Sequence, residues 1–111
     1  MPVVIDNRQG DAASIRLGPL LLNLPHHGIP VGAAELSVRP QAVLLRRNGG
    51  ELTGRITRAA YLGSHMEYWI AFTGLDKELF VTSPDVAAPL AVGDPASATL
   101  ALSGVALVLR S

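Results

Sequence analysis

Residues 66–73 read Met66-Glu67-Tyr68-Trp69-Ile70-Ala71-Phe72-Thr73, with large apolar side chains at every second position. Successive side chains of an extended strand point to opposite sides. Met66, Tyr68, Ile70 and Phe72 therefore line a core, while Glu67, Trp69, Ala71 and Thr73 form the other face. The same alternation recurs at Leu52 and Ile56 upstream, at Ala34, Leu36 and Val38 earlier still, and at Ala98, Leu100 and Leu102 downstream.

Outward from this stretch the chain is punctuated by 11 glycines and 8 prolines, which leave short segments rich in Val, Leu, Ile and Thr. Such punctuation predicts strands at 15–17, 20–24, 34–38, 42–45, 51–61, 66–72, 77–82, 96–102 and 105–109. A helix over 85–92 is limited to a turn or two by Pro84, Pro89 and Gly93. Asn48-Gly49-Gly50 and Gly63-Ser64 read as turns of a meander, with a positive φ available at Gly63. Gly93-Asp94-Pro95 opens another strand, and Asp94 can bond the backbone of its own turn. Half-buried strands must close around a shared core, so an all-β small barrel or sandwich is expected.

The 111 residues suit one domain, and 49% hydrophobic against 16% charged composition excludes a disordered chain. There is no cysteine, so disulfides, thiolate metal sites and cysteine nucleophiles are excluded, and a reducing compartment suits the composition. The longest apolar runs fall far short of the roughly 20 residues of a spanning helix. The start, Met1-Pro2-Val3-Val4-Ile5, lacks a signal-peptide pattern and suggests a cytoplasmic chain or a trimmed one. Lys+Arg and Asp+Glu are 9 each. Zero net charge argues against a strongly electrostatic partner, although the basic residues concentrate in the first half.

Few residues support catalysis. A phosphate loop needs a Gly-rich turn ending in Lys-Ser/Thr, and the only lysine, Lys77, sits between Asp76 and Glu78. Leu102-Ser103-Gly104 has part of an ATPase signature but lacks a second glycine and a following helix, so it reads as a turn between two strands. His26, His27 and His65 read as solvated loop histidines rather than metal ligands, since adjacent residues of an extended chain point apart. Ser64-His65-Glu67 brings triad residue types together on a tight turn without triad geometry. Asp76, Glu78 and Asp85 read as solvated acids.

The arginines Arg39, Arg46, Arg47, Arg55 and Arg58 read first as a solvated basic face, with single-stranded nucleic acid, another anion or a protein partner as the rival readings. All five aromatics lie between Tyr61 and Phe80, and alternation sends Tyr68 and Phe72 inward. Trp69 shares the polar face with Glu67 and Thr73 and neighbours Phe80. It either covers a second small core beneath residues 20–24 or anchors a protein contact.

Three stretches together resemble the transport-associated OB (TOBE) domain. They are Leu36-Ser37-Val38-Arg39-Pro40-Gln41, then Glu51-Leu52-Thr53-Gly54-Arg55-Ile56 running into Tyr61-Leu62-Gly63-Ser64-His65-Met66-Glu67-Tyr68, and finally Val92-Gly93-Asp94-Pro95. That family forms the C-terminal regulatory part of ATP-binding subunits in ABC importers for maltose, polyamine, thiamine or ferric iron. The resemblance covers residues 34–109 best, with 1–33 as leading strands of the same single domain over 1–111. Two departures stand out: Gln41 replaces the family's usual glutamate, and Pro95 replaces an apolar residue. Pro95 removes a ladder donor at a strand's first residue, where the loss is smallest.

The resemblance implies an OB-like small β-barrel with additional N-terminal strands. It implies a non-catalytic regulatory and dimerisation domain, isolated from its ATPase, with no cofactor of its own; ATP and magnesium belong to the implied parent. A second ATP-binding subunit, membrane permease subunits reached through the absent ATPase domain, and a regulatory protein or small effector are the implied partners, at the cytoplasmic face of the membrane. Ferric iron or polyamine is the cargo favoured by overall likeness. The motif positions are Arg39, Pro40, Gly54, Gly63, Gly93 and Asp94, and the expected contact residues are His65, Trp69 and Phe80. Gly54 inside a strand marks a bulge or a close backbone approach. Arg39, held extended by Pro40, is placed to pair with Asp94 or Glu35, or to contact a ligand or subunit. The alternative, from a different class, is a free-standing OB module binding an oxyanion or single-stranded nucleic acid.

Overall fold

Alternation along ten strands sorts the side chains of a computed structural model that describes residues 1–46 and 49–108. The strands are β1 (Pro2–Gln9), β2 (Ala12–Leu17), β3 (Leu20–Pro25), β4 (Gly32–Val38), β5 (Val43–Arg46), β6 (Leu52–Tyr61), β7 (Met66–Phe72), β8 (Leu79–Ser83), β9 (Pro95–Leu100) and β10 (Val105–Val108). Short 3₁₀ turns occupy Pro40–Ala42 and Leu102–Gly104, and the described residues form no α-helix. The fold is all-β and OB-like.

Two five-stranded antiparallel sheets result, in the orders β10-β4-β1-β2-β3 and β5-β9-β6-β7-β8. The leading residues are therefore more than an appendage: β1, β2 and β3 join β4 and β10 in a sheet as large as the second. In β7, Met66, Tyr68, Ile70 and Phe72 are all buried, as the alternation requires. They meet Leu52, Ile56, Val81, Ala96 and Ala98 from neighbouring strands in one continuous core that also holds Ile5, Ile15 and Leu36 of the first sheet.

The sheets share a bent ribbon. β4 pairs with β10 (Val38 opposite Val105), and β5 pairs with β9 (Val43 opposite Leu100). Between these pairings both chains turn through their 3₁₀ segments, side by side. Arg39 N–H donates to the Gly104 carbonyl at 2.9 Å and Ala101 N–H to the Ala42 carbonyl at 2.7 Å. A β-carbon on Gly104 would stand only 2.6 Å from that of Ala42. All strands of the second sheet lie in the chain between β4 and β10.

Several expectations need correction. β1 belongs to the leading strands that the resemblance implies over 1–33 but not to those that alternation marks, because beyond Ile5 its side chains Asp6, Asn7, Arg8 and Gln9 are all exposed. Ala42 and Leu102 belong to the 3₁₀ turns instead of to strands. Residues 77–78 precede β8 rather than starting it. Arg47, Asn48 and Leu109 lie outside the described residues.

Gly104→Val is expected to lower unfolding free energy by about 2–4 kcal/mol through overpacking at the ribbon bend. Exposed Ser103→Ala is expected to stay within about 0.5 kcal/mol. Urea denaturation followed by Trp69 fluorescence measures both.

Candidate functional site

The second sheet's outer face collects the residues that the sequence singled out. Strand pairing sets Arg58 of β6 opposite Trp69 of β7, and Trp69 opposite Phe80 of β8. The two aromatic rings meet with centroids 5.0 Å apart, tilted by 41°. Trp69 remains 37% exposed and Phe80 is half-buried. Trp69 therefore does not cover a small core beneath residues 20–24, which lie in the other sheet. Its indole is backed by Phe80 and keeps about a third of its surface open to solvent.

A bulge sets this row. Pairing of β6 with β7 slips between Ile56 and Arg58, so Thr57 is the extra residue. Its hydroxyl donates to the Trp69 carbonyl at 3.0 Å. A bulge bends and twists its strand, which brings Arg58 into register with Trp69. The turn before β9 docks on the same place: Gly93 N–H donates to the Ile56 carbonyl at 2.8 Å, and Ile56 N–H to the Asp94 carbonyl at 3.0 Å. Sequence reasoning missed Thr57, whose side chain gives no signal distinguishing it from any strand threonine.

Gly54 holds the position of close approach, not the bulge. A β-carbon there would run into the backbone of Ala71 and Phe72. Gly63, at φ 87°, starts the two-residue Gly63-Ser64 loop closed by Leu62 N–H to the His65 carbonyl at 3.0 Å. Gly93 (φ 91°) precedes Asp94, whose carboxylate accepts from Ala91 N–H at 2.7 Å. Asp94 is thus engaged with its own turn. Among the described residues Arg39 makes no ion pair with Asp94 or Glu35, and Glu35 meets the Met1 ammonium at 2.9 Å. Arg39 is exposed beside Pro40 at the ribbon bend, where its backbone does the bonding.

His65 lies at the end of the β6–β7 turn, its Nδ1 3.0 Å from the Ser64 hydroxyl and its Nε2 3.5 Å from the Glu67 carboxylate. The two contacts link the triad residue types, but through nitrogens opposite to those a nucleophile–base–acid relay uses. Of the three, His65 lines a cleft of about 660 Å³ between β5 and β8, whose other lining includes Gln41, Val43, Leu44, Ser83 and Asp85. Trp69 and Phe80 do not line it. His65 nonetheless meets Glu67, which shares the outer face of β7 with Trp69.

His26 differs from the solvated reading. It is 7% exposed, with Nε2 2.8 Å from the Gly10 carbonyl and Nδ1 accepting from Gly28 N–H at 2.9 Å. A carbonyl only accepts and an amide only donates, so the neutral Nε2–H tautomer satisfies both. His27, at φ 50°, is turned out to solvent. Among the described residues no group of three or more His, Asp or Glu is arranged to hold a metal.

The sequence profile of the TOBE domain family matches residues 36–106. The chain is 30% identical over 109 residues to the Fe(3+) ions import ATP-binding protein FbpC of Brucella abortus (strain 2308), covering 97% of this chain and 30% of that protein. To the corresponding FbpC 1 of Rhizobium meliloti (strain 1021) it is 35% identical over 100 residues, 89% of this chain and 28% of that protein. Against the Agrobacterium fabrum protein the identity is 35% over 69 residues, 61% of this chain and 20% of that one. The chain thus spans less than a third of the length of these relatives.

A Trp69→Ala, Phe80→Ala double-mutant cycle is expected to give a coupling of about 0.5–1.5 kcal/mol. His26→Ala is expected to cost about 2–4 kcal/mol, because it removes a buried ring and leaves the Gly28 amide unpaired. Urea denaturation of each variant gives both values.

Proposed function

The chain belongs to the TOBE domain family, and on that premise we propose that it is the C-terminal, non-catalytic region of the ATP-binding subunit of an ABC importer. The family match over residues 36–106 carries the reading. The names of the relatives support ferric iron as the cargo of the parent system. No helix of the described residues is long and apolar enough to cross a membrane, which suits a subunit working through separate permeases at the cytoplasmic face.

Its role in this reading is to bias the transport cycle by contact. A second copy, a regulatory protein or a small effector alters ATP hydrolysis at the parent's ATPase only by binding one conformation of the subunit more tightly than another. The cleft beside His65 and the Trp69–Phe80 face supply separate surfaces for such contacts. ATP and magnesium are bound by the parent's ATPase portion in this scheme, and the chain's own residues serve for contact alone.

Replacing the matching C-terminal region of the Rhizobium meliloti relative with this chain tests the proposal. The chimera is expected to support ferric iron uptake within about ten-fold of the parent subunit, and its ATPase rate is expected to respond to loss of the graft. A soluble chimera that hydrolyses ATP but neither transports iron nor responds to removal of the graft overturns it.

A further inference from the structure

We propose that the outer face of the second sheet docks an acidic surface of a partner protein, with Trp69 as the central anchor and Arg46, Arg55 and Arg58 as the charge. The proposal deepens the contact role assigned above to Trp69 and Phe80, and rests on it.

Register brings these residues to one side. Arg46 faces out opposite Ser97, Ser97 lies opposite Thr53, and Arg55 follows two residues after Thr53 on the same face of β6. Beyond the Thr57 bulge come Arg58, Trp69 and Phe80 in a single row. Among the described residues Met1–Glu35 and Arg16–Asp6 are ion pairs and His65 approaches Glu67, and none of these contacts involves the three arginines. Arg46 donates to the Thr99 hydroxyl at 3.1 Å and Arg55 to the Gly93 carbonyl at 3.1 Å. Both acceptors are neutral. None of the three guanidinium groups meets a carboxylate of the described residues within ion-pair distance, and Arg58 lies directly opposite a tryptophan buttressed by a second ring.

Tryptophan and arginine side by side on a sheet face are the residue types that dominate protein–protein hot spots, and a charged rim fixes the sign of the partner. Phosphate backbones are the weaker fit. Glu67, two residues along β7 from Trp69 on the same face, is turned to His65, whose Nε2 lies 3.5 Å from its carboxylate. The chain's net charge of zero also lacks the general basicity of a nucleic-acid-binding domain. An acidic protein surface needs only the local complementarity that the three arginines provide.

The test selects a phage-displayed random 12-residue peptide library on the immobilised 111-residue chain, then maps the enriched peptide by amide chemical shifts. Acidic peptides are expected to be enriched and to perturb residues 55–58, Trp69 and Phe80. Arg58→Glu is expected to weaken binding about ten-fold, and Trp69→Ala by about as much or more. Arg58 makes no side-chain hydrogen bond among the described residues, so its reversal reads charge rather than folding; Arg58→Gln repeats the test should the reversal unfold the chain. Failure to enrich any peptide, enrichment of neutral or basic peptides, shifts elsewhere, or indifference to Arg58→Glu overturns the proposal. So does tighter binding of a 15-nucleotide oligothymidylate to this face than of any selected peptide. Each of these failures leaves the importer assignment standing, because that assignment is read on the chimera's transport.

Discussion

At Gly104 the chain returning from the second sheet presses against Ala42, where it left the first, and there is no space for a side chain between them. This contact lets β4 continue into β5 and β10 follow β9 as one bent ribbon that serves as an edge of both sheets. The backbone bonds at the bend, from Arg39 to Gly104 and from Ala101 to Ala42, keep the ladder nearly continuous where neither sheet supplies a partner. Pairing β4 with β10 joins residues some seventy positions apart in sequence, for example Glu35 and Val108. Non-local pairing of this kind carries a loop-closure cost, which ordering of the second sheet within the intervening chain reduces.

The bend also explains the disposition of the functional surfaces. Because the ribbon supplies β5 and β9 to the second sheet, that sheet wraps until β5 approaches β8, leaving the cleft lined by Val43, His65 and Ser83 at the seam. Its opposite, convex side carries Arg55, Arg58 and Trp69. One cleft and one face are thus presented in different directions by the same five strands, and the bulge at Thr57 tunes the second without lining the first.

The alternation in 66–73, the glycines of the tight turns and the leading residue of β9 were legible in the sequence because each depends on local geometry. The OB-like class and the family likeness followed from those same residues. What escaped was decided by partners distant in the chain. β1 has only Val3 and Ile5 inward, so its strand character comes from pairing with β2 and β4. His26 is buried because the carbonyl of Gly10, on the neighbouring turn, meets its ring. Arg39 has the extended backbone that Pro40 requires, at φ −70° and ψ 142°, yet that direction does not bring it to Asp94. Spacing near Trp69 showed which face it takes and not whether anything covers that face.

The nested order of the strands has a consequence for how such a chain changes over generations. Residues 43–100 hold a complete sheet whose entry and exit lie next to each other, while the outer sheet is assembled from the two flanking pieces. Because entry and exit adjoin where Gly104 meets Ala42, a loop of the inner stretch can gain or lose length while the two flanking pieces keep their spacing. The family profile begins inside β4 and ends inside β10, and so takes in the whole of this inner stretch.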